Sequence, residues 1–123
     1  MSEIADFLRA RIAERRALAL AASPGPWHAN AEHDEVLAVD GITVAEGFAL
    51  SGRQLRATVD HIAANDPDAV IADCDAKTAL VDLCATFLHD DEGGTDPCAE
   101  GALRILAQPF AGHPDHKGEE WAP

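Results

Sequence analysis

Apolar residues recur at helical spacing from the first positions of the chain. Ile4, Phe7, Leu8, Ile12 and Leu18 fall on one side of a helix expected over residues 3–21. Ser2 can cap it, and Glu3 and Asp6 suit its positive end. The pattern stops at Ser23-Pro24-Gly25-Pro26, because two prolines and a glycine do not continue a helix. From residue 27 to 46 the period shortens, and Glu35–Val39 and Ile42–Glu46 read as β-branched runs joined by Asp40-Gly41. That dipeptide predicts a tight two-residue hairpin with positive φ at both turn positions. Pro26–Ala29 can add a third strand in front, making a small antiparallel meander that needs helices on one face.

Helical spacing then returns. Ser51 caps a helix expected over 52–64, with Leu55, Val59 and Ile62 on one stripe. Asp66-Pro67-Asp68 ends one helix and starts another, with the aspartate as cap and the proline at the first helical position. This third helix is expected to run over 67–88. A polar loop follows, then a short helix over 99–107 around Leu103 and Leu106, stopped by Pro109. The expected fold is α+β: a hairpin or three-stranded meander against three to four helices, in one domain spanning 1–123.

Composition adjusts this picture. Hydrophobic residues make up 47% of the 123 residues, but aromatics only 5%. The core is therefore thin, and each large side chain counts for more. Residues 109–123, "PFAGHPDHKGEEWAP", carry one of the two tryptophans. The expectation is that this tail folds back and packs Phe110 and Trp121 on the helices, since a core short of large side chains gains most from added aromatics. Trp27 is the expected second anchor, fixing the path from the first helix into the hairpin. His113 and His116 are expected to cap the surface of the tail.

The net charge is −13. Residues 1–22 hold four Arg against three acids, +1, and the remainder holds five Lys or Arg against nineteen acids, −14. Such a surface repels nucleic acid, whose binding depends on cations meeting phosphates. It leaves open a solvating surface or a mimic of DNA that occupies a nucleic-acid-binding protein; a mimic needs carboxylates spaced along one face. No apolar run reaches the length of a membrane span, and the N-terminus lacks the apolar segment of a secretory signal, so a cytoplasmic location is expected.

Candidate chemistry is sparse. Cys74 and Cys84 share the third helix ten residues apart, which forbids a disulfide between them. Cys84, His89 and Cys98 are candidate zinc ligands, with His113 or His116 as a fourth, but Cys84 also sits on an apolar stripe where a thiol serves as a small hydrophobe. His61 lies at the flank of its helix, and no nucleophile–base pair can be assembled, so no catalytic residue and no cofactor is assigned. Arg11 and Lys77 stand out, because each falls within the apolar stripe of its helix. They are expected either to snorkel or pair with an inward carboxylate, or to line a recess for an anion or a partner's carboxylate.

The stretches "SPGPWH", "HIAANDPDAVIADCDAK" and "LRILAQPFAGHPDHKGEEWAP", with "FLRARI" near the start, resemble an uncharacterised family of small acidic proteins from actinobacteria and their phages, domain-of-unknown-function family 6221. The likeness covers most of the chain apart from the hairpin and the 90–97 loop. Phe110 stands where tyrosine is common in the family, whereas His113, Pro114, Glu120 and Trp121 match its pattern. Some relatives carry additional cysteines before the last helix, in a pattern implying a metal knuckle; this chain has no Cys-x-x-Cys, so an inherited metal site would be degraded. The resemblance implies an origin and an architecture but no activity; the expected function is that of a non-catalytic phage or prophage accessory protein acting through a protein partner.

Overall fold

The computed structural model describes residues 2–89 and 92–123. Four helices, α1 (Glu3–Ala21), α2 (Gly52–Ala64), α3 (Pro67–Phe87) and α4 (Pro97–Ala107), accompany three short strands, β1 (His28–Ala29), β2 (Glu35–Leu37) and β3 (Thr43–Glu46). The strands form one antiparallel sheet in the order β1-β2-β3, so the fold is α+β. Among the described residues, no helix is long and apolar enough to cross a membrane.

The chain forms two compact units, Arg15–Asp73 and Met1–Glu14 with Cys74–Pro123. In the first, α2 packs on β1 and β2 and closes over Val36 and Val59, both fully buried. Gly47, at the exit of β3, makes that approach possible: a Cβ there would lie 2.7 Å from Leu55 and 2.7 Å from Val59. The loop before β2 is organised by Asn30, whose Oδ1 accepts the backbone N–H groups of Asp34 and Glu35. Ser51 caps α2 by accepting from Gln54 N–H.

The β2–β3 turn corrects the hairpin reading. Only Gly41 takes positive φ, at +83°, and its N–H donates to Ala38 C=O, while Ala38 N–H donates to Ile42 C=O. Asp40 keeps negative φ and uses its carboxylate to accept from Ile42 N–H. This is a turn with the glycine at its left-handed end, and the register slips between Val36 and Leu37. Sequence pattern identifies the turn glycine correctly but not the loop length.

Asp66 is the buried carboxylate of this unit. Its Oδ1 accepts Ala69 N–H at 2.8 Å, capping α3, and its Oδ2 accepts Trp27 N–H at 3.0 Å. One side chain therefore starts a helix and holds the chain entering β1. Trp27 itself is half-buried, and its indole N–H donates to Ser23 C=O at 2.8 Å. Leu18 departs from the expected stripe: it is exposed, and Ala19 is the buried residue of that turn. Leu18 and Trp27 instead flank a shallow apolar cleft with Ala22 and Pro67.

In the second unit, Leu8, Cys74, Val81 and Leu103 are fully buried. The helix expected from residue 99 begins at Pro97, with Asp96 as cap accepting from Cys98 and Ala99 N–H. Asp96-Pro97 thus repeats the starting signal of Asp66-Pro67. Beyond α4 the chain makes two short 3₁₀ turns, Gln108–Phe110 and Gly118–Trp121, and the second turn buries Trp121.

Candidate functional site

Phe7 projects from the first half of α1, and four rings of the C-terminal segment gather around it. Trp121 lies 5.0 Å away between centroids, His113 5.6 Å, His116 5.7 Å and Phe110 6.3 Å. All but Trp121 meet Phe7 edge to face, the arrangement that aligns a positive ring edge with a negative face. The tail reaches this position through two similar histidine turns. His113 Nδ1 accepts Asp115 N–H at 3.0 Å, and His116 Nδ1 accepts Gly118 N–H at 2.9 Å. Each imidazole substitutes for a backbone carbonyl two residues before the amide it binds, as Asn and Asp side chains do in turns. Gly118 takes positive φ, +63°, where the second turn closes. Arg104 anchors the end by donating to Ala122 C=O at 3.0 Å.

Arg11, one turn after Phe7 on α1, completes the cluster. Its guanidinium carbon stands 5.3 Å from the Phe7 ring centroid, and its side chain is only 11% exposed. Nη2 donates to Glu14 at 2.8 Å, and Nη1 lies 3.5 Å from Asp115. Nη1 also sits between the two ring nitrogens of His113, 3.0 Å from Nδ1 and 2.6 Å from Nε2. The guanidinium and the Asp115 amide thus meet the same edge of the His113 ring. Two donors here are buried without a hydrogen-bond partner, Arg11 Nε and His116 Nε2. Both belong to groups lying against aromatic rings, which interact weakly with such donors.

Beside this cluster opens a recess of about 390 Å³. Phe7 and Trp121 supply apolar wall, Arg11 and Lys117 positive charge, and His116 a ring edge. Glu3 and Asp115 bring carboxylates to it, and Lys117 Nζ lies 3.9 Å from Glu3. The recess thus sets two cations and two carboxylates against an aromatic wall.

The residues singled out from sequence separate clearly. Arg11, Phe110 and Trp121 come together at Phe7. Lys77 is half-buried on α3 and is not among the residues lining the recess, and Trp27 belongs to the other unit. His113 and His116, expected to cap a surface, turn their rings inward onto Phe7. The zinc candidates fare differently: Cys84 is buried and Cys98 exposed, and all three cysteines carry free thiols. Among the described residues, no group of three His, Cys, Asp or Glu side chains is placed to hold a metal ion. Burial pushes the Cys84 thiol pKa up, with Cys98 and Asp96 adding to the shift. Phe7 as the hub is what sequence reading missed. Its place on the α1 stripe was visible, but its ring partners lie about a hundred residues further on.

The family of unknown function DUF6221 matches residues 1–123. The chain belongs to that family. The tail that forms the recess is thus part of the matched sequence. No curated protein and no solved structure matches the chain.

Proposed function

We propose that this DUF6221 protein is a non-catalytic binding protein that seats a carboxylate of a protein partner in the recess beside Arg11. One observation carries the reading: Arg11 is the nearly buried cation of the recess, and its own carboxylate neighbours are loosely held. Glu14 and Asp115 are 62% and 74% exposed, and each meets a single Nη atom. A guanidinium fork is best matched by one carboxylate taking both nitrogens. An entering carboxylate would replace two exposed, screened contacts with one bidentate pair beside the aromatic wall of Phe7 and Trp121. An accessory role in a phage or prophage is consistent with the resemblance of the chain, and a protein partner fits a recess open to side chains.

The test is a side-chain nuclear magnetic resonance titration. The probe is a blocked tetrapeptide containing Asp and Glu, compared with the same peptide carrying Asn and Gln. The acidic peptide should shift the Arg11 Nε–H and Trp121 indole resonances together, and Arg11→Met should abolish the indole shift. Equal responses to the two peptides, or none to the acidic one, would sink the proposal.

A further inference from the structure

The helix α3 is apolar on two opposite sides. Cys74, Val81 and Cys84 face the core, whereas Leu80, Leu83 and Phe87 are 41%, 55% and 62% exposed. Between Asp75 and Phe87 the exposed residues follow a seven-residue pattern. Ala76 and Leu83 occupy one position of the seam, and Ala79 and Thr86 the position three residues on. Leu80 and Phe87 flank it on one side, and Asp75 and Asp82 on the other, each pair seven residues apart. All eight residues are exposed. This is the layout of one strand of a coiled coil: an apolar seam, small residues allowing close approach, and a charged row alongside.

The charge of that row selects the occupant. A second copy fits badly, because parallel copies would set Asp82 against Phe87, and antiparallel copies would set Asp75 against Asp82. A helix carrying Lys or Arg beside its own apolar stripe fits the seam and meets both aspartates. Asp82 accepts from Arg9 at 2.9 Å, but that pair is exposed on both sides and so weak enough for a second cation to share. We infer that the outward face of α3, from Asp75 to Phe87, is a docking surface for a basic amphipathic helix of another protein. The surface is separate from the Arg11 recess and does not depend on it.

Fluorescence anisotropy on the full chain tests this with three labelled synthetic peptides. The first is a two-heptad helix with Leu at seam positions and Lys beside them, the second a scrambled peptide of the same composition, and the third the Glu counterpart of the first. The basic amphipathic peptide should bind at least about tenfold more tightly than the scrambled one, and Leu83→Glu should remove that advantage. Asp75→Lys with Asp82→Lys should transfer preference to the Glu peptide. Circular dichroism confirms that each surface variant remains folded. Equal binding of ordered and scrambled basic peptides would reduce the effect to net charge and overturn the inference. A wild-type dimer that Leu83→Glu converts to monomer would also overturn it, by assigning the face to a second copy.

Discussion

The indole of Trp121 lies 5.0 Å from the ring of Phe7, centroid to centroid, with the planes tilted by 57°. This contact ties the third-last residue of the chain to the second turn of the first helix. Both rings are buried, in a chain with few aromatics. The surrounding histidines and Phe110 enclose the same ring. The tail therefore supplies part of the core of its unit, and the recess beside Arg11 exists only while the tail is docked.

Trp121→Ala should accordingly cost about 3 kcal/mol or more, as truncations of large aromatics in cores do. Phe7→Ala should cost a similar amount, and the double variant less than the sum, because the two side chains share one contact. Urea unfolding of the single and double variants measures this. A truncated chain lacking residues 109–123 that melts at the wild-type temperature would show the tail to be dispensable for folding.

The course of the helices was legible because its signals are local. Periodicity, Ser51 as a cap and the Asp66-Pro67 start all act within a few residues of where they stand. Asp96-Pro97 carries the same start signal, so an expected beginning at 99 overlooked a cue that was present. The Asp40-Gly41 turn marked the hairpin, but loop length depends on how the strands register, and the bulge at Val36/Leu37 is a property of the pair. Leu18 matched the stripe angle yet is exposed, since the angle says nothing of whether another element covers that turn. The site was legible only in pieces. Arg11 and Trp121 could be marked as unusual, whereas the inward histidines follow from turns that only the folded tail makes.

Arg11→Met should leave stability within about 1 kcal/mol of wild type. Methionine keeps an unbranched apolar stem and gives up only the weak guanidinium contact over the Phe7 ring, and the carboxylates released, Glu14 and Asp115, are exposed enough to be solvated. A loss of about 3–5 kcal/mol would instead identify a buried ion pair with a structural task. Denaturant midpoints at matched salt distinguish the two.

Asp66 makes two separate hydrogen bonds with its two oxygens, to Ala69 and Trp27 N–H. Asp66→Ala should cost roughly 2 kcal/mol or more, combining a lost helix cap with a stranded amide. Asp66→Asn retains one acceptor oxygen and should recover part of that loss. Hydrogen exchange reads the split: the Trp27 amide should lose protection in the alanine variant, and in Asn one of the two amides should exchange faster.

Gly41 and Gly47 are both required, for different reasons. Gly41→Ala meets open space but forces a side chain into positive φ, a penalty of roughly 1 kcal/mol. Gly47→Ala has no such strain, but its methyl would press on Leu55 and the fully buried Val59, which should cost about 1–3 kcal/mol. Gly47→Ala combined with Val59→Ala should regain the part of its steric loss due to Val59, with the Leu55 contact remaining, whereas Gly41→Ala with Val59→Ala should be additive. Equilibrium unfolding of the three single and two double variants provides the comparison.

Cys84 makes stability depend on pH in the alkaline range. Its thiol pKa is raised in the folded chain, first by burial and then by Cys98 and Asp96. Above the unfolded thiol pKa of about 8.5, the unfolded chain loses this proton more readily than the folded chain. The unfolded state then binds fewer protons, so the stability of the fold falls as pH rises. The contribution is fully present below that pH and is lost progressively up to the folded pKa. Urea midpoints taken between about pH 7.5 and 9.5 should decline, and Cys84→Ala should flatten the decline relative to its own neutral-pH value. Thiol labelling supplies a second reading, because the exposed Cys98 should react rapidly in the native protein while Cys74 and Cys84 react only on opening. A native Cys84 that labels as fast as Cys98 would contradict its burial and remove the basis for the pH dependence.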